Sequence, residues 1–201
     1  MKIFLSLFAL FIWSGCTTHT PNITEYSLNT VHPSSAYNPT VSSPKTLQLA
    51  TTKTLPSLNS KSIFYLKARQ EIGTYLYSRW IDTPSAMIEN MFTAELQKSA
   101  LFSTVIPASS HANGDYLLES NLHAFYHRIH DDQTSDGIID ITYRFIDTKS
   151  KTTVATQRFT LIHPSQTNNA KGGIDALNNA LNSLNTQVVQ WLQKGIAEKK
   201  I

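Results

Sequence analysis

The chain has 201 residues, a net charge of +3, 41% hydrophobic and 15% charged residues, and one cysteine, at position 16. That length suits one domain with appendages and a real core, while so small a charge makes no electrostatic case for nucleic acid or an anionic surface. A single thiol excludes an intrachain disulfide, and Ser, Thr and Asn stand where charged residues usually do, as suits an extracytoplasmic surface.

In chain order, Lys2 and the apolar run Ile3 to Trp13 have the layout of a secretory signal, too short for a membrane span of about 20 residues. Ser14, Gly15 and Cys16 follow and resemble the lipobox, where a bacterial prolipoprotein is acylated on cysteine and cut just before it. Trp13 stands where an aliphatic residue is usual, and a secreted protein with an incidental cysteine is the other reading of these residues. Acyl chains on Cys16 would tether the domain stably, because each buried methylene contributes about 0.8 kcal/mol. Thr17 after the cysteine, rather than Asp, favours the outer membrane. Residues 1–15 are thus read as signal and 16–43 as lipidated N-terminus and linker, rich in Thr, Ser, Asn and Pro. Inside the linker Glu25 to Leu28 either docks as a short edge strand or has no structure.

Residues 44–201 are read as the folded domain. Thr46 to Ala50 predicts a first core strand with Leu47 and Leu49 on one face. Ser62 to Lys67 and Thr74 to Ile81 predict a hairpin, with Gly73 as the break between them. In the second strand Tyr75, Tyr77 and Arg79 alternate with Leu76, Ser78 and Trp80. Thr83 is a good N-cap and Pro84 a good first helical residue, and Met87, Ile88, Met91, Phe92 and Leu96 then form one apolar helical stripe. A short strand, Ser103 to Ile106, precedes a polar turn.

The clearest β section comes next. Tyr116, Leu118, Leu122, Ala124 and Tyr126 are expected on the dry face and Glu119, Asn121, His123 and His127 on the wet one; Ile139, Ile141, Tyr143 and Phe145 alternate likewise, and Phe159 and Leu161 mark a third run. This predicts an antiparallel meander with one face to cover. The cover is a long helix after Gly172 and Gly173, striped by Ile174, Leu177, Leu181, Leu184, Val188, Trp191 and Leu192 and closed by Gly195. The expected fold is therefore α+β: a mainly antiparallel sheet with two long helices packed on one face, preceded by the lipoprotein signal and a flexible linker.

Chemistry-bearing constellations are scarce. His123 and His127 would share a strand face about 13 Å apart, too far for one ion, so with His130 they read as solvated positions and no metal or cofactor is expected. No Gly-x-Ser-x-Gly elbow, phosphate loop or catalytic carboxylate pair is present, and the chain is not expected to be an enzyme.

The aromatic strand ending in Tyr77, Ser78, Arg79 and Trp80, followed by Asp82, Thr83, Pro84 and an amphipathic helix, resembles the hallmark segment of the ABC-type transport auxiliary lipoproteins, the PqiC-like family. The likeness runs from Tyr26, Ser27 and Leu28 to the terminal helix with Trp191. It implies a lipid-anchored periplasmic protein that assists a system moving lipids between membranes, with an MCE-domain protein and its ABC permease and ATPase as partners and homo-oligomeric rings among relatives. By the same resemblance Arg79, Trp80 and Asp82 form a corner for partner contact; from the residues alone, Arg79 and Asp82 could pair across the turn and Trp80 fill core. An acyl-chain binder holding ligand between helices and sheet is the alternative reading.

Overall fold

The computed structural model describes residues 22–29, 42–67 and 71–199; the signal, Cys16 and most of the linker lie outside the described residues. The sheet is organised around one long strand, β7 (Tyr116–Ile129). One of its edges pairs along its full length with β8 (Ser135–Asp147), which pairs in turn with β9 (Thr152–Pro164), and both ladders are antiparallel. Short polar turns join these strands, so local closure of each hairpin sets the pairing.

The other edge of β7 is shared end to end by three short strands, all parallel to it. These are β2 (Ser43–Leu49), β3 (Lys53–Thr54) and β4 (Ser62–Lys67), registered on Tyr116–Leu118, Asn121–Leu122 and His127–Ile129. The sheet forks there. β2 continues to β6 (Phe102–Ile106), and β4 to β5 (Glu71–Trp80) and then β1 (Thr24–Tyr26). β4 and β5 form the expected hairpin, and Glu25 belongs to an edge strand parallel to β5.

Two helices cover one face, α1 (Pro84–Lys98) and α2 (Ala170–Lys199). The expected stripes are the buried ones: Met87, Ile88, Phe92 and Leu96 on α1, and Ile174, Leu177, Leu181, Leu184, Val188 and Leu192 on α2. They meet the inward residues Ile139, Ile141, Tyr143 and Phe145 of β8 in one continuous core, with Phe92 against Tyr143 and Trp191 edge-on to Phe159. The interval between helices and sheet is thus filled by side chains.

Several expectations change in the structure. A register shift between Leu122 and Ala124 puts an extra residue into β7. A one-residue bulge inverts the alternation beyond it, so Phe125 and His127 point into the core and Ala124 and Tyr126 do not. His127, read as solvated, is 0% exposed. On β5, Tyr75 to Ser78 lie opposite the single residue Ile63, and this irregularity brings both Tyr75 and Trp80 to the inner face. Gly73 is not a break but pairs with Tyr65, whose ring a Cβ at this position would strike.

At the helix ends, Thr83 makes no side-chain cap; its hydroxyl meets Ser85 Oγ at 3.3 Å, and the first turn is closed by its backbone carbonyl, which accepts from the Met87 N–H at 3.0 Å. Gly195 does not close α2, which runs on to Lys199 because Gly195 packs over the Phe145 ring and Ile196 is buried. Gly173 lies inside the first turns of α2, where a Cβ would sit 2.5 Å from the His127 ring. There the missing side chain lets the helix approach the sheet closely.

Candidate functional site

The corner singled out in the sequence is where β1, the end of β5 and the start of α1 meet. Trp80 is its buried anchor, 1% exposed, with ring centroids 5.6 Å from Phe125. Its backbone N–H donates to Lys61 O at 2.7 Å. Arg79, one residue earlier, must face away from the core. Its Nε and Nη2 donate to Glu25 Oε1 at 2.9 and 2.6 Å, so it pairs with β1 and not with Asp82. The Asp82 Oδ1 instead accepts from the Thr83 N–H at 2.7 Å. Between them, Ile81 donates its N–H to Tyr26 O at 2.8 Å and accepts from Lys61 Nζ at 2.7 Å.

These bonds place Ser27 to Asn29 alongside α1, and Asn29 donates its N–H to Asn178 Oδ1 of α2 at 2.9 Å. A groove of about 520 Å³ opens between the two, lined among others by Leu28, Asp82, Met87, Asn90, Met91 and Lys98. Amide, carboxylate, ammonium and thioether groups line it, so it offers both hydrogen bonds and apolar contact.

The histidines do not converge. His123 Nε2 lies 3.0 Å from Thr142 Oγ1, His130 Nε2 lies 2.6 Å from Asp136 Oδ2, and His127 Nδ1 lies 2.7 Å from the Tyr75 hydroxyl. Among the described residues no group of three or more His, Cys, Asp or Glu is placed to hold a metal ion. Burial lowers the His127 pKa, with Asp136 opposing, and pushes Tyr75 up to about 12. The phenol therefore stays protonated and shares a hydrogen bond with Nδ1 inside the core. The sequence marked His127 by type but not its burial, since the bulge that turns it inward carries no compositional signal.

Across the meander the outer face is a set of cross-strand ion pairs. Arg158 donates to Asp140 through Nε at 2.8 Å and Nη2 at 2.5 Å, and Arg144 Nη1 to Glu119 Oε2 at 2.8 Å. The Arg158 guanidinium holds the Asp140 carboxyl below the usual carboxylate range. Burial pushes Asp136 up, but hydrogen bonds from His130 and Arg128 outweigh it and leave its pKa low. Glu119 and Asp140 each face one arginine and Asp136 faces both Arg128 and His130, an arrangement that stabilises a wet sheet face.

With this geometry in hand, the family model for the ABC-type transport auxiliary lipoprotein component matches residues 26–189. The chain belongs to that family. It is an auxiliary, non-enzymatic lipoprotein of an ABC-type lipid-transport system, anchored to a membrane in the cell envelope. The matched span runs from β1 through most of α2 and takes in the whole Arg79 to Asp82 corner.

Among solved structures the auxiliary lipoprotein is similar to a Xanthomonas campestris protein at 19% identity, covering 88% of this chain and 99% of that one with a TM-score of 0.77. A hypothetical protein from Chlamydia trachomatis is similar at 7% identity, covering 75% and 96%, with a TM-score of 0.54. Identities this low show a shared fold alone. No curated protein matches the chain.

Proposed function

We propose that the protein is held at the outer membrane, facing the periplasm, by acyl chains on Cys16, and that it docks an MCE-domain protein served by an ABC permease and ATPase. The observation that carries the docking role is the filled interior: thirty buried apolar residues, all but Leu101 from the sheet and the two helices, form one packed cluster in the interval where a carried acyl chain would have to lie. A protein that cannot take lipid between its layers acts through its surface, and the groove beside Asp82 is the mixed polar and apolar surface this reading uses. Copies of the chain assembling together on the partner are part of the same proposal.

The test combines capture with mass. A photo-crosslinking residue at Asn90, in the groove, is expected to capture the MCE-domain protein in cells, and native mass spectrometry of the purified domain is expected to read polypeptide copies without stoichiometric phospholipid. Phospholipid at one per chain would replace docking by carriage. For the anchor, labelled palmitate should enter the wild-type chain and not Cys16→Ser, and equal incorporation would refute acylation at that residue.

A further inference from the structure

The wet outer face described above does not extend across the sheet. At the β4–β5 end that same face turns apolar. Phe64, Leu66 and Ile72 of the hairpin, with Tyr126 of β7 and Leu58, line a groove of about 330 Å³. Along β5, Ile72 is 73%, Leu76 78% and Tyr77 58% exposed. β1 pairs with β5 only from Ser78 to Trp80, so among the described residues the outer edge from Glu71 to Tyr77 has no strand beside it. Apolar surface gathered in this way, a groove with Leu76 and Tyr77 exposed further along the same strand and paired charges such as Arg128 with Asp136 nearby, marks a place of contact.

The chain's own anchor says what the contact is. We propose that the outer face of the β4–β5 hairpin lies against the phospholipid bilayer that holds the protein. Thr24 is registered on Ser78, two residues beyond Leu76. Because β1 is parallel to β5, it enters this pairing from the side where Glu71 to Tyr77 lie. From Cys16 to Asn22 there are six residue-to-residue steps, which at up to about 3.5 Å each reach no more than ~21 Å. The long helix alone spans about 45 Å at 1.5 Å per residue. An acylated Cys16 therefore keeps the β1–β5 side next to the headgroups, and the apolar patch sits on that side. Tyr77 and Tyr126 are of the kind found at membrane–water interfaces, with an aromatic body for the acyl boundary and a hydroxyl for the headgroups. The groove beside Ile72 has room for part of an acyl chain.

This inference rests on acylation at Cys16, and the experiment separates the two. With its sole cysteine acylated the chain has no thiol, so Leu76→Cys offers a single labelling site; Lys149→Cys, in the turn at the opposite end of β7, is the control. The acylated protein, labelled with an environment-sensitive fluorophore, is placed on phosphatidylethanolamine–phosphatidylglycerol vesicles. A blue shift and loss of quenching by aqueous iodide are expected at position 76 and not at 149. Ile72→Glu, at an exposed position, should abolish the shift while leaving thermal unfolding unchanged. Equal quenching at both positions overturns the contact, as does a shift at 76 that appears without vesicles and grows with protein concentration, which would assign the face to a second copy. If intact mass shows no acyl chain, the labelled chain starting at residue 17 is tethered by an N-terminal hexahistidine to nickel-chelating lipid. A shift there supports the contact and refutes only the acylation, and no shift refutes the contact.

Discussion

At single residues the corner divides into an anchor and a clasp. Trp80 is enclosed against Phe125, so Trp80→Ala is expected to cost about 3–5 kcal/mol in urea unfolding. Arg79 and Glu25 are about half exposed, and Arg79→Ala should cost less than about 1 kcal/mol. His127 gives stability a pH dependence. Its pKa is lowered from 6.5 by burial, so the unfolded chain binds this proton more readily than the folded one. Stability is therefore full above about pH 6.5 and falls as pH drops below it. Melting temperatures recorded from pH 7 to pH 5 should decline, and His127→Phe should flatten that decline. Asp136 and Asp140, held below 3.8, act in a separate window: they add stability above that pH and lose it as pH falls further.

At the scale of elements, β7 and β8 are held on both edges and β5 is not. Amides of β8 bond into two long antiparallel ladders beneath α2, whereas the outer edge of β5 from Glu71 to Tyr77 has no partner among the described residues. Native-state hydrogen exchange should find β8 slowest, near the rate set by global unfolding, and this stretch of β5 fast. Comparable protection in the two would contradict the topology. The close seat of α2 on β7 depends on Gly173, and Gly173→Val should lower stability by about 1–3 kcal/mol by forcing the helix off the His127 ring. Elements were the most legible level of the sequence. The β8 strand, the apolar stripes of both helices and the Pro84 start all follow from periods of two or 3.6 read over many residues. Helix ends are less so: the sequence predicts a stop at Gly195, yet a glycine over a buried ring is as compatible with an uninterrupted helix.

For the molecule as a whole, one core joins every layer. Trp80 is part of the cluster and Trp191 packs against it from α2, so their fluorescence and far-UV circular dichroism should report a single coincident unfolding transition. Two separated transitions would mean that the helices and the forked sheet are independent units. Function belongs to this scale as well. The docking proposed for this auxiliary lipoprotein would use its surfaces, and the wet meander, the groove beside Asp82 and the apolar hairpin lie on different parts of the domain.

The sequence by itself determined the class of fold, the antiparallel meander with its two covering helices, and the likeness of the Tyr77 to Pro84 segment to an auxiliary family. Those are local matters, written in periodicity and in turn residues a few positions apart. Tertiary structure alone decided that β2, β3 and β4 share one edge of β7 in parallel, that Arg79 reaches Glu25 rather than Asp82, and that His127 is buried beneath Gly173. Each joins residues far apart in the chain, or hangs on a bulge that shifts side-chain phase without changing composition. Periodicity fixes which residues alternate; pairing between distant strands fixes which of the two alternating sets faces the core.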